Sequence, residues 1–169
     1  NRDHMSMYGV NAGIPKTFMR YLVNWFAQDA KSNNKNDLGD VLIDILETPV
    51  SPELLPPEEG NISQKTENLV GPYELHDFYL YYVLKYGFSP SKILFLAEQS
   101  DLKYSRAEKI KWLKIFYGRF FTQQFKRSCM PDGISVGFGS LSPRGSWTMP
   151  TDSSANVWLK EIEELEKGE

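Results

Sequence analysis

The feature that most constrains this chain is a capped helical pattern and the point where it stops. Ser105-Arg106-Ala107-Glu108 has the form of a capping box, in which hydroxyl and carboxylate each satisfy a free backbone amide at a helix start. Ile110, Leu113, Phe116, Phe120 and Phe121 then recur at helical spacing, flanked by Trp112 and Ile115. The pattern ends at Gln123-Gln124-Phe125-Lys126-Arg127-Ser128-Cys129-Met130-Pro131-Asp132-Gly133. Before that junction the chain reads as helix broken by loops, and after it as mostly irregular chain. The chain is therefore expected to be mostly α.

Two readings of the junction follow from elementary electrostatics. Lys126 and Arg127 fall where a helix exposes its carbonyl ends, which favour cations by about 0.3–1 kcal/mol each. Alternatively, two cations set after aromatic residues and before a turn hold an anionic ligand such as a phosphate or carboxylate.

The earlier segments carry their own start and stop signals. Residues 1–14 read as loop or a frayed strand, since Gly9, Asn11 and Gly13 break any regular period. Ile14-Pro15-Lys16 opens a helix with proline at its first position, and Phe18, Leu22 and Phe26 give it an apolar stripe to about Ala30. A polar connector, residues 31–36, leads to a second helix capped by Asp37 and striped by Leu38, Val41, Leu42, Ile45 and Leu46. Thr48-Pro49 stops it. Residues 49–71 hold Pro49, Pro52, Pro56 and Pro57 with several glutamates and few apolar anchors, the composition of one long loop.

Gly71-Pro72 opens a third helix with Leu75, Phe78, Tyr79, Tyr82, Val83 and Tyr86, closed by Gly87. Ser89-Pro90 starts a fourth, running to about Gln99. After the junction, alternating Ile134, Val136 and Phe138 leave room for at most one short strand. Asp152 and Ser153 are expected to cap a final helix striped by Ala155, Trp158, Ile162 and Leu165, its glutamates facing water.

Bulk properties narrow the function classes. The length of 169 residues and 41% apolar content suit one globular domain, or a piece of a larger one. A start in neither Met nor a tag, and 14% aromatic content, favour the fragment reading. No apolar run reaches the roughly 20 residues of a membrane span, and no signal-peptide pattern opens the chain, so cytoplasmic is the default location. A single cysteine forms no internal disulfide. A net charge of −3 gives no electrostatic support for nucleic-acid binding.

Several constellations fall short of chemistry on inspection. His76-Asp77 looks like a dyad, but adjacent helical residues point about 100° apart. With His4, His76 and Cys129 the whole histidine and cysteine complement, an all-protein transition-metal site is not expected. Gly137-Phe138-Gly139-Ser140 resembles a phosphate cradle without a Walker lysine or a Ser-Gly-Gly-x-Asp-Ser loop. Cys129 follows Lys126 and Arg127, yet no histidine base is near in sequence, so it reads as a small half-buried residue. Together, the acidic proline-rich loop, the Phe125-Lys126-Arg127 turn and the Ser142-Pro143-Arg144-Gly145 turn suit Mg-nucleotide chemistry, carboxylates on metal and cations on phosphate.

Six segments carry a resemblance. They are Tyr8-Gly9-Val10-Asn11-Ala12-Gly13-Ile14-Pro15-Lys16-Thr17, Thr48-Pro49-Val50-Ser51-Pro52-Glu53-Leu54-Leu55-Pro56, Val70-Gly71-Pro72-Tyr73-Glu74-Leu75-His76-Asp77-Phe78, Tyr86-Gly87-Phe88-Ser89-Pro90-Ser91-Lys92-Ile93, Gln124-Phe125-Lys126-Arg127-Ser128 and Leu141-Ser142-Pro143-Arg144-Gly145. In that order they resemble the C-terminal part of glutamine-dependent NAD synthetase. The resemblance covers nearly the whole chain, 1–169, and implies the helical C-terminal portion of an α/β, Rossmann-like synthetase domain of the adenine nucleotide alpha-hydrolase type.

The reaction it implies is amidation of nicotinic acid adenine dinucleotide. ATP with Mg adenylates the pyridine carboxylate, because a bare carboxylate lacks a leaving group, and ammonia then displaces AMP to give NAD. In the family, ammonia comes from glutamine through a glutaminase domain with a Glu-Lys-Cys triad, and a Ser-Gly-Gly-x-Asp-Ser loop holds ATP. Neither occurs in this sequence. The resemblance therefore implies that Cys129 is not the glutaminase nucleophile and that the isolated chain is inactive. The parent is expected to be a homo-oligomer with no prosthetic group, acting on small-molecule substrates, and the charge balance and the lack of an apolar span give no expectation of a nucleic-acid or membrane partner.

Residue by residue, Lys126 with Phe125 matches the position that contacts the dinucleotide, Lys16 and Ser51 fall where ATP is contacted, and the 49–71 loop matches an active-site cover. Family members often carry an acid after Ser-Pro-Arg-Gly, where this chain has Ser146. The reading that competes is a non-enzymatic helical interaction module with aromatic docking helices and an anion-binding basic turn.

Overall fold

A computed structural model describes residues 7–48, 71–137 and 139–168. Its elements are all helical, with no strand among the described residues: α1 (Lys16–Ser32), α2 (Asn36–Glu47), α3 (Tyr73–Tyr86), α4 (Pro90–Glu98), α5 (Arg106–Thr122), α6 (Gln124–Ser128) and α7 (Asn156–Lys167). The segment expected as a cover, 49–71, lies outside the described residues except for Gly71. Two compact units divide the chain, residues 15–74 and residues 1–14 with 75–169.

The first unit is a helical hairpin of α1 and α2. Pro15 sits at the N-cap of α1 in extended backbone, one position earlier than expected, and Lys16 is the first helical residue. The connector turns sharply, with Asn34 in the left-handed region at φ 59 and Lys35 N–H donating to Ala30 O at 2.9 Å. Asp37 does not cap α2. Lys35 holds the N-cap and Asp37 lies in the first turn, where its charge still faces the helix's positive end.

Gly39 is where the two helices approach closely: a β-carbon there would meet Lys31 Cγ at 2.5 Å and the Ala27 carbonyl at 3.0 Å. The Lys31–Asp40 pair at 2.7 Å and the bond from Arg20 Nη2 to Leu46 O at 2.8 Å bind the hairpin further. Phe18, Tyr21 and Trp25 of α1, and Leu38, Val41 and Ile45 of α2, are each at least half exposed.

In the second unit one apolar cluster joins four helices. Leu75, Tyr79 and Val83, one face of α3 at four-residue spacing, pack with Ile93, Leu94 and Ala97 of α4, with the α5 stripe from Ile110 to Phe120, and with Ile162 of α7. Tyr86, counted in the α3 stripe by sequence, is about half exposed. Gly87 ends α3 as expected: at φ 64 it lets Phe88 N–H reach back to Tyr82 O at 3.3 Å, closing the terminal carbonyls.

Polar groups tie the helix ends to the cluster. Lys109, buried, donates from Nζ to Ala97 O in the last turn of α4 at 2.9 Å, which places a cation at that helix's negative end. Glu161 of α7 accepts the Ser91 backbone N–H at the start of α4 at 2.9 Å. The capping box of α5 forms in full, with Ser105 N–H on Glu108 Oε2 at 2.9 Å and Glu108 N–H on Ser105 Oγ at 3.3 Å. Two other expected caps differ. Ser89 holds the N-cap of α4 but its hydroxyl pairs with Ser91 Oγ at 3.0 Å, and α7 begins at Asn156 behind Ala155, past Asp152 and Ser153.

The alternating residues after α6 form no strand. Ile134 and Val136 are exposed, and residues 131–137 instead run beside residues 9–13, joined by Gly9 N–H donating to Asp132 O at 2.7 Å. One such bond is no ladder. Gly133 makes the approach sterically feasible, because a β-carbon there would lie 2.1 Å from Gly9 O.

Candidate functional site

The residues singled out at the junction sit on α6, a five-residue helix separated from α5 by Gln123. Expected as the end of the long helix, α6 is a separate turn because Gln123, at φ −94 and ψ 12, leaves the helical conformation. Residues one and four of such a turn share a face, and the two between them point away. The pattern here obeys that rule. Gln124 and Arg127 turn inward, while Phe125 and Lys126 are exposed.

Arg127 is occupied by its own chain. Its Nη2 donates to Phe120 O at 2.7 Å, its guanidinium lies 4.6 Å from the Phe120 ring centroid, and burial holds its pKa below the ordinary guanidinium value. Gln124, buried, donates from Nε2 to Met149 O at 2.6 Å. Sequence reasoning did not single out Gln124; its three-residue spacing from Arg127 was the available signal.

The outward pair is different in kind. Phe125 is 65% exposed, and the Lys126 ammonium stands 5.9 Å from that ring's centroid with no ion pair among the described residues. An exposed ring beside an exposed cation can take a flat ligand carrying negative charge. A groove of about 320 Å³ opens beside Phe125, bounded by Phe121, Gln124, Asp152 and Ser153.

The other candidates are placed as follows. Lys16 is exposed in the first turn of α1, its ammonium 5.5 Å from the Tyr73 ring centroid. Ser51 and His4 lie outside the described residues. His76 packs against Phe116, with ring centroids 5.8 Å apart, inside the aromatic cluster. Cys129 is exposed, contrary to the half-buried expectation, because it follows α6 on the solvent side; its thiol donates to Lys126 O at 3.1 Å. Arg144 of the second turn bonds Asp132 and the Met130 carbonyl, so that turn fastens the chain just after α6. Gly139 packs against Leu84 and not around an open cradle. Among the described residues no three histidine, cysteine, aspartate or glutamate side chains converge. No helix among them is long and apolar enough to cross a membrane.

Comparison with known proteins shows what the chain is similar to. The chain is 43% identical over 180 residues to the glutamine-dependent NAD(+) synthetase of Mycobacterium leprae, a match covering 95% of the chain and 26% of that protein. It is 43% identical over 186 residues to the synthetase of Mycobacterium tuberculosis, covering 98% of the chain and 27% of the relative. The matched region is the C-terminal part of those proteins. The chain is similar along nearly its whole length to the C-terminal part of glutamine-dependent NAD(+) synthetases. It spans about a quarter of the length of the synthetases it matches. A crystal structure of a glutamine-dependent NAD(+) synthetase from Cytophaga hutchinsonii shares the fold, with a TM-score of 0.62 at 20% identity over 96% of this chain and 22% of that one. No family model matches the chain. The synthetase likeness and the helical architecture agree with the expected fold class.

Proposed function

We propose that this chain serves as the C-terminal part of a glutamine-dependent NAD synthetase, amidating nicotinic acid adenine dinucleotide with ATP, Mg and ammonia drawn from glutamine. The observation that carries the reading is the 43% identity sustained over 95–98% of the chain. The helical interaction module has no comparable support.

Within that reaction the chain contributes binding and orientation. Lys126 meets an anionic group of the dinucleotide and Phe125 offers its ring to a flat one; both are exposed, on the side of α6 away from Gln124 and Arg127. Lys16 and Ser51 are proposed ATP contacts by the same resemblance. Mg would accompany ATP and neutralise phosphate charge. A cytoplasmic setting and a homo-oligomeric parent go with the reading.

Calorimetric titration of a full-length synthetase carrying this segment tests it. Lys126→Ala is expected to weaken dinucleotide binding by about 1.5–3 kcal/mol, roughly 10- to 150-fold, the scale of a hydrogen bond to a charged group. Unchanged affinity would remove Lys126 from the site. The isolated chain with ATP, Mg and ammonia is expected to form no NAD, since its 169 residues hold no Ser-Gly-Gly-x-Asp-Ser loop.

A further inference from the structure

We infer that Arg127 is a positioning residue for Lys126, working with Gln124 to hold α6 so that the Phe125-Lys126 face stays turned outward. This rests on the proposed role of Lys126 as a dinucleotide contact.

A five-residue helix does not hold itself in water, because helix nucleation is unfavourable and so short a segment recovers little of its cost. Something outside α6 must fix its rotation about its own axis. Two anchors do so, and both lie on the inward face.

Arg127 reaches back to Phe120 O, a carbonyl in the last turn of α5 that has no partner within that helix by position, and stacks on the Phe120 ring. Phe120 is 7% exposed and belongs to the four-helix cluster, so the anchor ends on the core of the unit. Gln124 fastens the same face to Met149 O on the segment leading to α7. With both in place, helical geometry leaves Phe125 and Lys126 only the outward direction. If either anchor slips, α6 is free to roll, and the ammonium moves with it.

A cation that served only stability would leave a different signature. Arg127→Lys keeps the charge but loses the planar stack and the fork of donors, and Arg127→Met keeps the stem and loses the donor. In a full-length synthetase carrying the segment, Arg127→Met is expected to raise the dinucleotide KM about tenfold, the weight of one well-placed hydrogen bond, with the ATP KM within about twofold of wild type. Arg127→Lys falls between the two. The decisive readout is the combination with Lys126→Ala, where Arg127→Met is expected to raise the dinucleotide KM no further, because it acts through the ammonium already removed.

A wild-type dinucleotide KM in Arg127→Met, or multiplying effects in the pair, overturns the positioning role while leaving Lys126 in the site. No effect of Lys126→Ala alone overturns the site reading and the positioning role with it. If Arg127→Met does not fold, Arg127→Lys carries the test: a raised dinucleotide KM with an unchanged ATP KM supports the role, and a wild-type value overturns it.

Discussion

Raising the pH above about 10 should destabilise this chain through two buried phenols. Tyr79 is fully buried, with its hydroxyl donating to Lys109 O at 2.9 Å, and Tyr117 is 2% exposed, with its hydroxyl 3.4 Å from Phe88 O. Burial pushes both well above the ordinary phenol value of 10.0, with the nearby Tyr104 adding to Tyr79 and Glu161 to Tyr117. Both phenols are therefore neutral in the folded protein at a pH where the unfolded chain has released their protons. Stability linked to them is fully present below pH 10 and falls as pH rises beyond it.

For an unfolded-state pKa of 10.0, the loss at pH 11 is about 1.4 kcal/mol per phenol, or about 2.8 kcal/mol for the pair. Against a typical total of about 5–15 kcal/mol, that is large. Urea unfolding followed by emission from Trp112, Trp147 and Trp158, which lie in the same compact unit, should show the midpoint falling by about 1–2 M between pH 9 and pH 11. Tyr79→Phe with Tyr117→Phe isolates the effect. At pH 7 the pair of substitutions should cost about 1.5 kcal/mol for the hydroxyl bonds lost. The two stability curves should then cross near about pH 10.4, with the variant the more stable above it. Parallel curves from pH 8 to 11.5 would refute the account.

Two smaller perturbations probe other joints. Gly133→Ala should part residues 9–13 from residues 131–137, because its β-carbon would lie 2.1 Å from a backbone oxygen; a cost of about 1–3 kcal/mol and faster amide exchange at Gly9 are expected, and wild-type exchange there would contradict the packing. Ser105→Ala should cost about 1 kcal/mol through loss of the capping box, measured as a fall in the denaturation midpoint; no change would show that the cap is replaced by solvent.

The helices were legible because their signals are periodic and local. Leu75, Tyr79 and Val83 declare one face of α3, the Ser105–Glu108 box declares the start of α5, and Gly87 declares an end, all within a few residues of chain. The caps were less so. Asp37 and Ser153 have the right chemistry at nearly the right place, but side-chain capping competes with turns made by neighbours, and an offset of one to three residues assigns the role elsewhere.

The alternation around Ile134 misled for another reason: period two indicates a strand only if a partner backbone offers a ladder, and the neighbouring residues offer one bond. At the candidate site, charge alone left Arg127 and Lys126 equal, and the resemblance marked Lys126 with Phe125 while leaving Arg127 a structural cation. What separates them is direction, set by the break at Gln123, and that break has no strong local code. The resemblance pointed to the synthetases, since six short motifs in order carry information that composition lacks.

The hairpin of α1 and α2 has a practical corollary. Aromatic and aliphatic side chains that stand at least half exposed on both helices present large apolar surface to solvent, and apolar surface of that size drives association in proportion to its area. Prepared alone, the chain should be limited by its colloidal behaviour before its thermal stability. Light scattering should rise with concentration, and Trp25→Lys together with Val41→Lys should raise the solubility ceiling without disturbing the Gly39 contact that joins the two helices.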